Sequence, residues 1–261
     1  MAVVLIPIPS ADFDPTETAI PWSVLRQRGH RVEFATPDGQ PGRADERMLA
    51  GRGLGVLRPL LIADARARDA YAAMSGDASF RNPRRHADLR VDTFDGLVLP
   101  GGHAPGMRHY LESPALQELV AATFRAGKPT GAICHGVVLA ARSCDAAGRS
   151  VLYGRRTTAL TRQLELTAWA LTAAWLGRYY RTYPTPVQVE VTRSLASPAD
   201  FVAGPLALRR DAPDRLDAGF TVRDGNYVSA RWPGDAHRFS HAVADLLDEV
   251  DCGTVAGTPA A

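Results

Sequence analysis

The stretch PTGAICHGVVLAARS (residues 129–143) places Cys134 and His135 where an apolar strand pattern gives way to a helical one. A sharp strand-to-helix turn needs small neighbours two residues to either side, and Ala132 and Gly136 supply them. The pattern is that of the nucleophile elbow G-x-S-x-G, with Cys in place of Ser and Ala in place of the first Gly. An isolated Cys–His pair is more often a buried core thiol, so the rest of the chain must decide between packing and catalysis.

Short apolar runs alternate with helical patterns on both sides of this turn. The alternation predicts an α/β protein with a doubly wound, mostly parallel sheet that helices cover on both faces. The predicted strands are AVVLIPI (2–8), HRVEFATP (30–37), FDGLVLPGG (94–102), PTGAIC (129–134), GRRTTAL (154–160) and DGNYVSAR (224–231). The predicted helices are TETAIPWSVLRQRG (16–29), SPALQELVAATFRAGK (113–128), HGVVLAARS (135–143), ELTAWALTAAWLG (165–177) and DAHRFSHAVADLLDEV (235–250).

The length of the chain, 261 residues, suits a single large domain, which we assign to residues 1–250. Residues 40–92 interrupt the alternation and are rich in Arg, Asp and Gly. We interpret them as an insertion after the second strand that lies over one edge of the sheet and supplies most of the walls of a ligand cavity. Residues 251–261 are expected to form a flexible tail.

Composition argues against several classes of protein. The formal net charge of +2 comes from interspersed basic and acidic residues, which is untypical of proteins that bind nucleic acid or a membrane surface. No apolar run approaches the roughly 18 residues of a membrane span, and MAVVLIPIPS (1–10) lacks the basic start of a signal peptide. The three cysteines have no metal-ligand spacing, so a disulfide framework or a zinc site is not expected. We therefore expect a cytoplasmic protein.

The end of the strand before Cys134 is where a doubly wound sheet binds ligands. A thiol at a helix N-terminus is favoured as thiolate, so we expect the pKa of Cys134 to lie below its usual value. The loop LPGGHAPG (99–106) is predicted beside it, where Gly101 and His103 would contact substrate. The backbone N–H groups of Gly102 and His135 would form an oxyanion hole. Taken alone, the two glycines are better explained as a plain turn, and His103 is explained equally well as a surface residue.

The motifs TETAIP (16–21), LPGGHAPG and GAICHG (131–136), in this order, resemble the ThiJ/PfpI superfamily, which is related to the class I glutamine amidotransferases. The similarity runs from VVLIPI (3–8) to DGNYVSARWPGDAHRF (224–239). The GGH turn, the AICHG elbow and the insertion more closely resemble the branch of heat-shock chaperones and glyoxalase III. The resemblance implies a flavodoxin-like fold.

The resemblance also implies roles for individual residues. Glu17 matches the acidic partner of the cysteine; a carboxyl beside a thiolate has a raised pKa and can shuttle protons. His135 would assist proton transfer, and Glu165 falls where the branch has an Asp that orients this histidine. Without the resemblance, Glu17 is better explained as a charge in the first turn of a helix, and Glu165 is explained equally well in that way. The metal-binding histidines of the branch have no clear counterpart, so neither a metal nor another cofactor is expected.

These residues predict a cofactor-free, cysteine-dependent enzyme of the glyoxalase III kind that converts a small 2-oxoaldehyde to a hydroxy acid. We expect a small-molecule substrate and a homodimer, without nucleic-acid or membrane partners. A small-molecule hydratase or amidohydrolase of the same superfamily is the alternative enzyme. The alternative of another class is a chaperone or redox-sensing protein in which Cys134 is an oxidisable switch.

Overall fold

The computed structural model describes residues 1–206 and 209–251, so Cys252 and nearly all of the predicted tail at 251–261 lie outside the described residues. The strands are β1 Val3–Pro7, β2 Ala11–Phe13, β3 Arg31–Thr36, β4 Arg43–Ala44, β5 Arg84–Arg85, β6 Gly96–Leu99, β7 Thr130–Ile133, β8 Thr221–Asp224 and β9 Tyr227–Ala230. The α-helices are α1 Pro15–Gln27, α2 Glu46–Ala50, α3 Arg58–Leu61, α4 Ala65–Ser75, α5 Ala78–Arg81, α6 Met107–Leu111, α7 Pro114–Arg125, α8 Gly136–Arg142, α9 Arg162–Leu176, α10 Val187–Arg193 and α11 Ala236–Asp251.

The main sheet has seven strands in the order β5-β3-β1-β6-β7-β9-β8. All neighbouring strands are parallel except the hairpin β8–β9. The five central strands follow the flavodoxin order 2-1-3-4-5, which confirms the predicted doubly wound α/β fold. β6, β7 and β9 are buried along their whole length, as expected for strands covered on both faces.

The sheet order brings three loops together. β1, β6 and β7 are neighbours, so the loops that follow their carboxyl ends meet at one edge. These loops lead to Glu17, to Gly101 and Gly102, and to Cys134. Parallel pairing fixes this convergence, with Leu99 opposite Ala132 and Ala132 opposite Ser229. The fold therefore assembles the candidate site from segments that are far apart in sequence.

The predicted insertion at 40–92 contains α2 to α5 and the edge strand β5. α4 packs against α1, and Met48 and Leu54 of the insertion share a hydrophobic cluster with Trp169 and Leu176 of α9. Trp175 Nε1 donates to Gly53 O over 2.8 Å, and the Tyr179 hydroxyl donates to Asp45. The insertion and α9 therefore face each other across the carboxyl end of the sheet.

Two of the differences from the sequence-based prediction lie next to β9. A short strand is predicted at 154–160, but the structure has there only an isolated bridge between Thr157 and Phe201. The polar Thr residues are instead held by side chains of β9: Thr157 Oγ1 lies 3.0 Å from the Tyr227 hydroxyl, and Thr158 N donates to Ser229 Oγ. The edge strand β8 was not predicted, because only one of its four residues is buried and it lacks the apolar run of the other strands.

Within the described ranges, no helix has both the length and the apolar character needed to cross a bilayer.

Candidate active site

Cys134 sits at a sharp turn between β7 and α8. Its φ is +58°, a left-handed conformation that costs a non-glycine residue on the order of 1–3 kcal/mol and is typical of functional sites. Its backbone N–H donates to Ala230 O over 3.0 Å, which fixes the turn to β9. Gly136 is required by close approach, since a Cβ there would lie 2.0 Å from Leu99 O. The turn has the geometry that the elbow pattern predicts.

Glu17 reaches the same point from the first turn of α1. Asp14 caps this helix by accepting from Thr16 N and Glu17 N, which holds Glu17 in place. Glu17 Oε2 accepts from Gly101 N over 2.9 Å, and Asp14 N donates to Gly101 O, also over 2.9 Å. A Cβ on Gly101 would lie 2.6 Å from Glu17 Oε2, so only glycine fits. The N–H of Gly101 thus orients Glu17, and the predicted contact of Gly101 with substrate stays a prediction.

Glu17 and Cys134 are both buried and interact closely enough for each to shift the pKa of the other. Burial raises the pKa of Glu17 well above its usual value, and the neighbouring Asp14 adds to this. Burial likewise raises the pKa of the Cys134 thiol, with the nearby carboxyls adding to it. The expected lowering of the thiol pKa is therefore not found. The pair avoids a double negative charge, so Glu17 keeps its proton whenever Cys134 is a thiolate.

His135 contacts the sulfur directly, with its Nδ1 3.6 Å from Cys134 Sγ. Its Nε2 lies 3.1 Å from Thr182 Oγ1, and that hydroxyl donates to His103 O over 2.7 Å. Since the Thr182 proton is engaged, Oγ1 accepts from Nε2–H, and this assigns the tautomer with an unprotonated Nδ1 facing the thiol. Burial lowers the pKa of His135 to about 3, so the ring is neutral. The unprotonated Nδ1 of the neutral ring can accept a hydrogen bond from the thiol.

Glu165 does not orient His135. Its Oε2 accepts from Val187 N over 2.8 Å, and its Oε1 lies 3.2 Å from Arg181 Nε. Glu165 therefore fastens α9 to the segment between Arg181 and Val187. Thr182, within that segment, occupies the place beside His135 that was predicted for the acid. The predicted triad is corrected accordingly: the histidine has a hydroxyl partner, which fixes its tautomer without adding a charge.

A cavity of about 270 Å³ opens onto Cys134 and is lined mainly by apolar side chains. Of the predicted site residues, Glu17, Gly102, His103, Cys134 and Glu165 line it. His103 stacks on Tyr180 with ring centroids 4.3 Å apart, and burial lowers the pKa of this histidine. The walls come from α9 as well as from the insertion. The prediction that residues 40–92 supply most of the walls is therefore wrong.

Gly102 and Cys134 line the same cavity. Gly102 has a φ of +152°, and a Cβ there would lie 2.9 Å from Asp12 O. No acceptor for its N–H occurs in the described part of the chain. The oxyanion hole of Gly102 and His135 stays a prediction.

Sequence reasoning missed Asp14, Thr182, Tyr180, Arg210 and Trp232, of which all but Thr182 line the cavity. Asp14 carried a detectable signal, because an Asp before Pro-Thr-Glu is typical of a helix N-cap. The others lie in irregular segments whose position no local pattern predicts.

A family model described as ThiJ/PfpI family-like matches residues 8–205, which include Glu17, Gly102 and Cys134 but neither Arg210 nor β9 and the segment after it. The chain belongs to the ThiJ/PfpI family. The match confirms the resemblance that the three motifs indicate.

Two relatives of this ThiJ/PfpI protein differ in how much of their length they share with it. It is 43% identical over 239 residues to a deglycase of Pyrococcus abyssi, covering 91% of this chain and 96% of the relative. It is 32% identical over 118 residues to an uncharacterized protein of Schizosaccharomyces pombe, covering 44% of this chain and 43% of the relative. The chain thus matches less than half of the yeast protein.

Among solved structures, the glyoxalase III of Candida albicans superposes on this ThiJ/PfpI protein with a TM-score of 0.65. The identity is 18%, and the superposition covers 94% of this chain and 96% of the other. At that identity the likeness shows only that the two proteins share a fold. The geometry of the site described above is a separate observation.

Proposed function

We propose that this protein is a cofactor-free, cysteine-dependent enzyme that acts on small reactive carbonyl compounds and converts a 2-oxoaldehyde to a 2-hydroxy acid. The observation that carries the proposal is the burial of Glu17 and Cys134 together at one cavity, with neutral His135 Nδ1 on the sulfur. This arrangement joins a nucleophile, a proton acceptor for it and a second, independent acid–base group.

In the proposed reaction Cys134 Sγ attacks the aldehyde carbon while its proton passes to His135 Nδ1. Glu17 gives its proton to the resulting alkoxide, which forms a hemithioacetal. The Glu17 carboxylate then takes the proton from the former aldehyde carbon and delivers it to the adjacent carbonyl carbon through an ene-diol.

The hydroxyl proton of the hemithioacetal moves to the oxygen of that second carbon, and the product is a thioester of a 2-hydroxy acid on Cys134. Water hydrolyses it to the free acid, one proton of the water restores the thiol, and the proton held by His135 returns to the Glu17 carboxylate. The aldehyde carbon is oxidised and the neighbouring carbonyl carbon is reduced, so one water molecule is the only co-reactant.

Features of Glu17 support its part in these steps. Its Oε1 is buried and has no hydrogen-bond partner among the described residues, while Oε2 is held by Gly101 N. One oxygen is therefore fixed, and the other can hold or release a proton. The raised pKa of Glu17 keeps that proton available at neutral pH.

Removal of a carbonyl adduct from an amine or thiol is a second candidate activity, which the 43% identity to the Pyrococcus abyssi deglycase favours. In that reaction Cys134 Sγ would bond to the carbonyl-derived carbon of a preformed adduct as the amine or thiol leaves with the thiol proton, which gives the same hemithioacetal on Cys134. The two activities are separated by supplying free methylglyoxal or an adduct from which the free aldehyde has been removed.

The decisive experiment follows methylglyoxal consumption and lactate formation by purified protein without glutathione, nucleotide or added metal. We expect lactate from the wild type and none from Cys134→Ala, with full activity in Cys144→Ser, whose thiol is exposed. If the protein converts only the preformed adduct, the proposed conversion of a 2-oxoaldehyde is wrong and removal of the adduct takes its place. If the protein converts neither substrate, and wild type and Cys134→Ala protect a heated client protein from aggregation equally, the enzyme proposal is wrong and a chaperone function takes its place.

A further inference from the structure

Several polar atoms of the cavity lining are buried and lack a hydrogen-bond partner in the described residues. Besides Glu17 Oε1 they are Arg210 Nη1, Trp232 Nε1, Tyr180 OH and His103 Nε2. A buried polar atom without a partner costs free energy, so such a group is explained by a ligand or solvent that satisfies it. Guanidinium and indole N–H groups can only donate, which means that the missing partner is an acceptor.

Arg210 and Trp232 form one unit within this lining. The guanidinium carbon of Arg210 lies 5.7 Å from the centroid of the Trp232 ring. Arg210 Nη2 donates to Leu60 O over 3.4 Å, so the side chain is held between the insertion and the segment after β9. Stacking on an aromatic ring and a backbone acceptor fix a guanidinium while leaving its other N–H groups for a ligand.

Arg210 has no carboxylate within ion-pairing distance in the part of the chain that the structure describes. Its charge is felt at Asp14, whose pKa it lowers against the larger effect of burial. Asp14 Oδ1 is meanwhile engaged by Thr16 N and Glu17 N. The positive charge at the cavity is therefore not matched by a direct ion pair.

We propose that Arg210 and Trp232 form a subsite that binds a carboxylate group of the substrate, one N–H donor from each residue. The inference rests on the proposed function and narrows its substrate class to carbonyl compounds that carry a carboxylate and a short apolar chain. The apolar chain is indicated by the walls beside the subsite, among them Leu60, Leu164 and Leu171.

A carboxylate fits the subsite better than a phosphate does. Arg210 is the single cationic side chain of the lining among described residues, and Asp14 and Glu17 are both close to the sulfur. A dianion would meet two carboxyl groups with only one positive charge. A carboxylate carries one charge and presents two acceptor oxygens in a plane, which match two N–H donors.

The test measures binding in the Cys134→Ala background, so it does not depend on turnover. Pentanoate and its neutral isostere pentanamide are titrated calorimetrically into this variant and into the same variant with Arg210→Gln, Trp232→Phe or Arg66→Gln. Arg66 is the matched control, since its exposed side chain is 4.0 Å from Asp214 and does not line the cavity. Thermal melting of each variant checks the fold.

We expect pentanoate to bind at least about tenfold more tightly than pentanamide, the usual scale of a charge-assisted hydrogen bond. Arg210→Gln should abolish this ratio without weakening pentanamide, Trp232→Phe should reduce it several-fold, and Arg66→Gln should leave it intact. Should Arg210→Gln not fold, Arg210→Lys and Trp232→Phe must each lower the ratio for the proposal to stand.

An equal affinity for both ligands, no detectable binding of either, or an unchanged ratio in Arg210→Gln would overturn the subsite. In the last case Arg210 serves only as a counter-charge to Asp14. Carboxylate selectivity with no turnover of any carbonyl compound by the wild type would overturn the proposed function and leave the subsite standing.

Discussion

Nδ1 of His135 lies 3.6 Å from Sγ of Cys134, although the two residues are adjacent in the chain. Consecutive side chains ordinarily diverge. Here the left-handed φ of Cys134, +58°, turns the backbone so that both side chains reach the same space. The strain of the turn thus has a chemical use, because it brings a proton acceptor to the thiol.

Thr182 is expected to act as a positioning residue for His135. Thr182→Val removes the acceptor for Nε2–H, so the ring can take the tautomer that points a proton at the sulfur. We expect kcat to fall roughly tenfold or more, the scale of one lost hydrogen bond in the transition state, with little change in KM. Thr182→Ser keeps the hydroxyl and should restore most of the rate. Equal losses in both variants would indicate that Thr182 only packs.

Glu17→Gln tests the second acid–base group. The amide oxygen still accepts from Gly101 N, but the side chain cannot exchange a proton. Turnover should fall by roughly 10²-fold or more, the usual scale of general acid–base catalysis, with an unchanged melting temperature. Glu46→Gln, on an exposed side chain of α2, is the control. A fully active Glu17→Gln enzyme would mean that Glu17 is only a structural residue of α1.

Asp14 should make stability depend on pH. Burial raises its pKa from 3.8 to about 6, so between these values the folded protein binds more protons than the unfolded chain. Stability should therefore fall as pH rises through this window, by an amount on the order of 3 kcal/mol. Asp14→Asn keeps a good N-cap and removes the titration. Urea unfolding at pH 4 and pH 7 should show a smaller difference in the variant; a difference equal to that of the wild type would contradict the assignment.

Gly136 should not accept a side chain. In Gly136→Ala the new Cβ would meet Leu99 O at 2.0 Å, so β6 and the elbow must move apart. We expect a loss of roughly 1–3 kcal/mol or more, the scale of overpacking in a core, measured by urea unfolding. Gly76→Ala is the matched control, because its nearest contact is an ordinary 3.4 Å to Ala73 O. A variant as stable as this control would show that the elbow tolerates the displacement.

Local patterns were sufficient for much of the fold and part of the site. Strand and helix periodicity predicted the doubly wound sheet, because burial on both faces imposes apolar runs. The small residues around Cys134 indicated the elbow, because the close approach of Gly136 to Leu99 O is a requirement of the turn itself. The place of Glu17 came from the resemblance of its motif and agrees with the structure, where Gly101 N holds its carboxylate.

The sequence by itself therefore determined the chain order of the elements, the elbow and the candidate nucleophile. Tertiary structure alone decided that Thr182 and not Glu165 is the partner of His135, and that Arg210 lies at the cavity. It also decided the direction of the thiol pKa: a helix N-terminus lowers it, whereas burial beside two carboxyls raises it more. The physical reason is that the hydrogen-bond partner of a side chain and the burial of a charge depend on which distant segments pack together. Local sequence patterns do not predict that packing.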